Sequence, residues 1–319
     1  MKSFYFPLYS IILLFLLFLT SSVFSEKFYV SLNGSDSSGT GSQTNPWLTI
    51  THALNSITGT QANPHTIVVD TGRYSPATNG ENFPIVMKSY ISLQGSGIDS
   101  TILDAGENNN TNRIITCANV TAVNIHGLTI TNGYANRDAS NNENSGGGIL
   151  IKNSSYLSVY NNRIINCSAE NYSGGFARGG GVACLSSGFI LIDNNIIVDN
   201  FSLADGAQSG GVYFQVSEGM FSNNLLQSNW SGALFGSAGG GLSCFNSSMI
   251  IGNTIIDNRA ASGGGISFTG PCLIARNTIR DNEAGTGMYG GSGGGIFCYD
   301  EGFIGGSHSN GNNIFNNTL

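Results

Sequence analysis

Gly179-Gly180-Gly181-Val182 is one of five places in this 319-residue chain where three glycines run into an aliphatic residue. The others are Gly146-Gly147-Gly148-Ile149, Gly239-Gly240-Gly241-Leu242, Gly263-Gly264-Gly265-Ile266 and Gly293-Gly294-Gly295-Ile296, with a shortened copy at Gly210-Gly211-Val212. Between the last glycines the steps are 33, 30, 30, 24 and 30 residues. A period in this range marks one supersecondary unit repeated and stacked. A second column follows each cluster and reads Asn, any residue, aliphatic, two residues, Asn. Asn195-Ile196-Ile197 to Asn200, Asn224-Leu225-Leu226 to Asn229, Asn253-Thr254-Ile255 to Asn258, Asn277-Thr278-Ile279 to Asn282 and Asn312-Asn313-Ile314 to Asn317 are its full copies. Asn162-Arg163-Ile164 ends instead on Cys167.

Between these markers the apolar residues alternate, as in Ile149, Ile151, then Leu157, Val159, and period two means strands. No 3.6-residue stripe appears, which excludes a helical repeat. Short strands broken by Gly, Asn and Ser once per period fit a coil of parallel strands. A single coil cannot bury its inner face, whereas stacked coils enclose a continuous apolar interior. Gly148, Gly181, Gly241, Gly265 and Gly295 are read as corners of close backbone approach and positive φ. Asn200, Asn229, Asn258 and Asn282 are read as the facing corner. There an Asn tolerates the left-handed conformation and bonds to the amide one layer away.

The chain holds 12 Lys plus Arg against 19 Asp plus Glu and shows no basic run, which excludes nucleic acid as a partner. Lys2, the apolar run Ile11 to Leu19, and Val23 and Ser25 before Glu26 read as an export signal over residues 1–25. The run is shorter than the roughly 20 residues of a membrane span. No second span follows, so the mature chain is expected outside the cell or on its surface with no transmembrane segment.

Six cysteines in an exported chain invite disulfides. Three residues after each last glycine, however, the chain reads Ile151, Cys184, Phe214, Cys244, Phe268 and Cys298, so Cys serves as a small apolar filler beside rings. Cysteines two layers apart stand about 9–10 Å apart for a strand spacing of about 4.8 Å. A disulfide tolerates a Cα separation of at most about 7 Å. Cys184, Cys244 and Cys298 are therefore expected to be unpaired, while the argument leaves Cys117, Cys167 and Cys272 open.

These repeats resemble those of the right-handed parallel β-helix superfamily that includes pectate and pectin lyases. Phe28-Tyr29-Val30-Ser31, Asn33-Gly34-Ser35-Asp36, Gly39-Thr40-Gly41-Ser42 and Asn45-Pro46-Trp47 to Ala53-Leu54, with Gly72-Arg73-Tyr74 and Glu81-Asn82-Phe83-Pro84-Ile85, resemble the opening of exported bacterial β-helix proteins of the DUF1565 type. The glycine clusters with Ile-x-x-Asn are more loosely similar to repeats of chlamydial polymorphic outer-membrane proteins. The resemblance implies an all-β fold, a right-handed single-stranded parallel β-helix. Asn45 as cap, Pro46 at the first turn, and Ile50, Ala53, Leu54 and Ile57 on one face predict a short N-terminal capping helix. The expected organisation is a signal over 1–25, a capping segment over 26–62 and β-helix repeats over 63–319. The last repeat stops two residues past Asn317, so the coil stack is expected to continue in a longer protein, the alternative being that its open end pairs with another molecule.

Insertions fall mostly between the second column and the next glycine cluster, at 134–145, 168–178, 201–209, 230–238 and 283–292, and are expected to be loops stacked along one edge. Tyr134, Tyr172, Phe176, Trp230, Phe235 and Tyr289 are the ligand-binding candidates, since ring faces stack on sugars and polar neighbours read hydroxyls. The alternative is that these rings fold back on their own loops. Lyases of the resembled family use Ca²⁺ held by carboxylates and a basic Lys or Arg. On this edge Asp138, Glu143, Glu170 and Asp205 are the Ca²⁺ candidates, and Arg178, Asp205, Glu170 and Asp138 the catalytic ones. No paired Asp-Asp and no Gly-His-Gly occurs among the repeats, which weighs against an enzyme. Asp199, Asp257 and Asp281 each precede a column Asn and are read as a solvated row. The function expected is a cell-surface or extracellular protein, adhesin-like, that binds a polysaccharide or cell-surface glycan. The alternatives are a polysaccharide lyase or glycoside hydrolase, and a structural spacer of a larger surface protein.

Overall fold

The computed structural model describes residues 25–106, 112–136, 144–233, 236–285, 291–299, 303–304 and 311–319. Apart from Ser25, the expected signal lies outside the described residues. The chain is a right-handed parallel β-helix, and Ile50–Ser56 is the one helix among the described residues. Coils stack in three sheets. A long sheet runs from Glu26–Val30 to Ile296–Cys298, and a second of nine strands runs from Gly72–Tyr74 to Asn313–Phe315. A third, of five strands, contains Tyr134–Ala135, Asn144–Ser145, Ser168–Arg178, Phe201–Gln208 and Trp230–Gly232.

The register is the one the glycine clusters imply. Ile149, Val182, Val212, Leu242, Ile266 and Ile296 stand over one another, and so do Ile151, Cys184, Phe214, Cys244, Phe268 and Cys298. Cys117 heads the latter column above Ile151. None of the six cysteines is in a disulfide; five are buried and Cys298 is exposed. Inward Ile, Val, Leu and Phe of the two larger sheets form one core along the whole stack.

The second column is a pair of amide ladders, buried except at their last rungs, Asn312 and Asn317. Asn162, Asn195, Asn224, Asn253, Asn277 and Asn312 are joined Nδ2 to Oδ1 at 2.9–3.1 Å. Asn200, Asn229, Asn258, Asn282 and Asn317 are joined likewise at 2.9–3.0 Å. The left-handed backbone, however, belongs to the residue before each ladder Asn. Asn161, Asn194, Asp199, Asn223, Ser228, Asp257, Arg276, Asp281 and Asn316 have φ between 51° and 59°. The labour is divided because a ladder Asn must point inward from a corner that the preceding residue has already turned. This explains the Asp row: Asp, like Asn, is among the side chains that enter this region most readily.

The three glycines of a cluster do three different things. Gly179 has φ +58°. A Cβ on Gly180 would lie 2.1 Å from the carbonyl oxygen of Phe201, and one on Gly181 3.2 Å from the Asn200 side chain. In the shortened copy Ser209 takes the left-handed position, at φ 64°, and its hydroxyl accepts from Val212 N.

Two further expectations change at this level. The helix is capped by Thr49 rather than Asn45, with the Thr49 side chain accepting from His52 N. Asn45 instead closes the Gly-rich loop, donating to Ser38 O at 3.1 Å, while Trp47 N pairs with Tyr29 O. That pairing holds residues 45–47 extended, so the helix starts later. Its apolar face is as read, with Ile50, Ala53, Leu54 and Ile57 buried in the end of the core. The Glu81 carboxylate accepts the free N–H groups of Ile50 and Thr51 in the first turn, and the Asp36 carboxylate accepts those of Leu48 and Thr49 just ahead of the helix.

The insertions, secondly, are not loops over most of their described length. Ser168–Arg178, Phe201–Gln208 and Trp230–Gly232 are strands in register with one another. The excursions over 168–178 and 201–208 leave the coil, bend and return, with a register shift between Asn171 and Phe176. Ala135, Ala169, Ala177, Ala204 and Ala207 pack together as a small core separate from the main one. The excursions thus form a thin fin with alanine between its outgoing and returning legs. Gly180 sits at the neck, where the outgoing leg of the next coil crosses the end of the returning one.

Candidate functional site

The fin has two outer faces. Ala169 points inward on an outgoing leg, so its neighbour Glu170 points out on that side. Ala177 points inward on a returning leg, so Arg178 points out on the other. Glu170 and Arg178, expected together, lie on opposite sides of the alanine layer. The bend between them decides this, and it cannot be read from a count of residues.

On the outgoing face, Tyr134, Ser168, Phe201 and Trp230 follow one another in register. The Glu170 carboxylate is buried, and its Oε2 accepts from Tyr134 Oη at 3.0 Å and from Tyr172 Oη at 2.5 Å. Burial raises the Tyr134 phenol above the ordinary range, reinforced by the bond to Glu170. For Tyr172 that bond is the leading cause of a rise. Both phenols therefore remain donors at neutral pH. The Trp230 ring folds back over its own Gly232, where a Cβ would be 2.5 Å from the indole, and stacks on Phe201 at 6.3 Å. Trp230 still stays 40% exposed, and Tyr172 is 72% exposed. The fold-back alternative thus describes the position of the indole without hiding it. Below Trp230 the face continues to Arg259, which pairs with Glu283 at 3.1 Å.

On the returning face, the Arg178 guanidinium lies 4.6 Å from the centroid of Phe176 and 5.5 Å from that of Tyr213, and its Nε donates to Gln208 Oε1 at 3.2 Å. Phe176 lies over Gly206 and is 51% exposed. Tyr213 belongs to an apolar cluster on the outer side of the long sheet with Leu150, Ala183, Leu185 and Phe245. Burial raises its phenol, and the nearby Arg178 opposes that rise.

No protein-family model matches the chain, and no curated protein matches it. Among solved structures it is similar to the pectin methylesterase PemA from Erwinia chrysanthemi, at 11% identity over 92% of this chain and 93% of that one, with a TM-score of 0.40. A pectin methylesterase mutant in complex with a hexasaccharide gives 11% identity, the same coverage and a TM-score of 0.38. The A-module of a mannuronan C-5 epimerase from Azotobacter vinelandii gives 11% identity over 84% and 92%, with a TM-score of 0.24. Likenesses this distant transfer no residue roles.

Asp205 is exposed at the bend of its excursion, between Ala204 and Gly206. Asp138, Glu143, Phe235 and Tyr289 lie outside the described residues. Among the described residues no three His, Cys, Asp or Glu side chains converge as a metal site would require. Glu170 and Asp205 are not gathered into one ligand set, because one is fixed on the outgoing face by two phenols and the other is at the bend. Phe201, Gln208 and Tyr213 escaped the sequence reading. Tyr213 was accessible to it: it alternates with Val212 and Phe214 and therefore faces outward.

Proposed function

We propose that the protein binds a polysaccharide or cell-surface glycan along the outgoing face of the fin, as an exported, adhesin-like protein at or outside the cell surface. The observation that carries this reading is the exposed aromatic set of Tyr172 and Trp230, with Phe201 stacked on Trp230, beside the buried carboxylate of Glu170. Ring faces supply stacking to sugars, while the fixed phenols and the Arg259–Glu283 pair supply directional hydrogen bonding. The likeness of the N-terminal segment to exported bacterial β-helix proteins supports the location. An enzyme would need an acid and a base on the same side of a ligand, and the separation of Glu170 from Arg178 favours binding over turnover.

Affinity electrophoresis through pectate, alginate and neutral glucans, with and without Ca²⁺, tests this. Retardation by at least one polymer is expected. Trp230→Ala and Tyr172→Ala should each weaken it about tenfold, the equivalent of about 1.4 kcal/mol. Phe176→Ala, on the opposite face, should leave the affinity within about twofold. The proposal is overturned by unaltered binding in both outgoing-face variants. Release of unsaturated products or reducing ends that is lost in Arg178→Ala or Asp205→Ala would overturn it equally.

A further inference from the structure

The thiols of Cys244 and Cys272 come within 3.4 Å of each other, sulfur to sulfur. Both are fully buried in the main core. Cys244 belongs to Leu242–Ile251, in the same inward row as Phe214 above and Phe268 below. Cys272 belongs to the next coil, just ahead of Leu273, which stands under Met249. The coil with Cys272 turns sharply through Gly270, at φ 86°, and Cys272 N donates to Gly270 O at 2.7 Å. This shortcut swings the Cys272 side chain inward under Ser248, toward the corner that Cys244 approaches from the coil above. No large side chain separates the two thiols. The other cysteines of the column are kept apart by Ile151, Phe214 or Phe268 in the intervening layers.

We propose that Cys244 and Cys272 are an oxidisable pair and form a disulfide that staples two consecutive coils. Closure brings the sulfurs from 3.4 Å to about 2.05 Å. A low-molecular-weight disulfide, RSSR, is the oxidant. The Cys272 thiolate attacks one of its sulfurs, forms a mixed disulfide and expels RS⁻. The Cys244 thiolate then attacks Cys272 Sγ, forms the intramolecular bond and expels the second RS⁻. The two thiol protons end on the two RS⁻, so the protein loses two electrons and the oxidant becomes two RSH. Because both sulfurs are sealed in the core, the exchange takes place as the coils close during folding. The inference is independent of the carbohydrate reading and goes beyond the unbonded state in which the structure holds Cys244, as the sequence led one to expect.

The test is to refold the full chain in a glutathione redox buffer, denature it, alkylate the free thiols and map non-reduced peptides by mass spectrometry. The expected result is one linked peptide pair joining Cys244 to Cys272, with the other four cysteines alkylated. Reductant should lower Tm by about 5 °C or more in wild type, given the loop of 28 residues that the bond closes. It should leave Tm unchanged in Cys272→Ser. Six alkylated cysteines, or a different linkage, overturns the proposal. The peptide map is made on wild type, so it decides the matter even if the serine variant does not fold.

Discussion

Oδ1 of Asn229 accepts two hydrogen bonds from Asn200, one from its backbone N–H at 3.1 Å and one from its side-chain amide at 3.0 Å. Asn229 passes the pattern on through its own Nδ2, which donates to Asn258 Oδ1 and to Ile197 O, both at 2.9 Å. One side chain thus holds three consecutive coils while completely buried. Asn229→Ala leaves the Asn200 N–H without its acceptor and removes a donor from Ile197 O, while Asn258 Oδ1 keeps only the bond from the Asn229 backbone N–H, and it is expected to cost about 3 kcal/mol. Asn229→Asp keeps the shape but turns a donor into an acceptor facing two other oxygens. It should cost at least as much at pH 7, and less at acid pH where the carboxyl regains a proton. Guanidinium midpoints for the pair of variants check this, and equal stability of Asp and Asn at pH 7 would sink it.

Gly180 and Gly188 make a second comparison. A Cβ on Gly180 meets the Phe201 carbonyl at 2.1 Å, which is backbone and cannot yield without opening the neck of the fin. A Cβ on Gly188 meets only the Ser217 hydroxyl, at 2.7 Å, and that side chain is free to rotate. Gly180→Ala is expected to cost about 3 kcal/mol or more, and Gly188→Ala less than about 1 kcal/mol. Thermal melts of the two variants measure the difference.

Glu81 sets a pH dependence. Burial raises its carboxyl above the ordinary value, against the bonds from the Thr51 hydroxyl and the N–H groups of Ile50, Thr51 and Asn82. A folded pKa above the unfolded one means that the native state holds the proton more tightly. The stability it contributes is complete below the unfolded pKa and is lost as pH rises through the folded pKa. Glu81→Gln has nothing to titrate, so its stability relative to wild type should rise with pH over that window. Denaturant curves at several pH values give the slope, and a flat or falling difference contradicts the expectation.

Thiol accessibility is the fourth test. Burial pushes Cys117 and Cys167 up to about 12 and holds Cys184 higher still. Only Cys298 is exposed. Native protein at pH 8 should give one fast equivalent with an aromatic disulfide reagent, absent from Cys298→Ser. Two or more fast equivalents would mean that the coils open around the buried column.

The stacking of coils was legible because height along a solenoid is a one-dimensional quantity. When Gly148, Gly181, Gly211 and Gly241 recur at near-constant steps, the residues counted from them fall into rows, and the row with Cys184, Phe214 and Cys244 followed directly. The same counting found the ladder of Asn200, Asn229 and Asn258. It assigned the left-handed corner to the wrong residue, because both members of an Asp-Asn or Asn-Asn pair suit that conformation and only the inward direction separates them.

The excursions were the illegible part. Ser168–Arg178 and Phe201–Gln208 are rich in Gly, Ala and Ser, which carry little strand preference of their own, and their strands exist because the excursion of a neighbouring coil lies alongside. The sequence alone determined the layers, the columns and the aromatic character of one edge, since each depends on residue type and count. Tertiary structure alone decided that Glu170 and Arg178 face opposite ways and that Arg178 meets Tyr213. The bend of a fin and the pairing that steadies it arise between coils, from backbone partners some 30 residues apart in the chain.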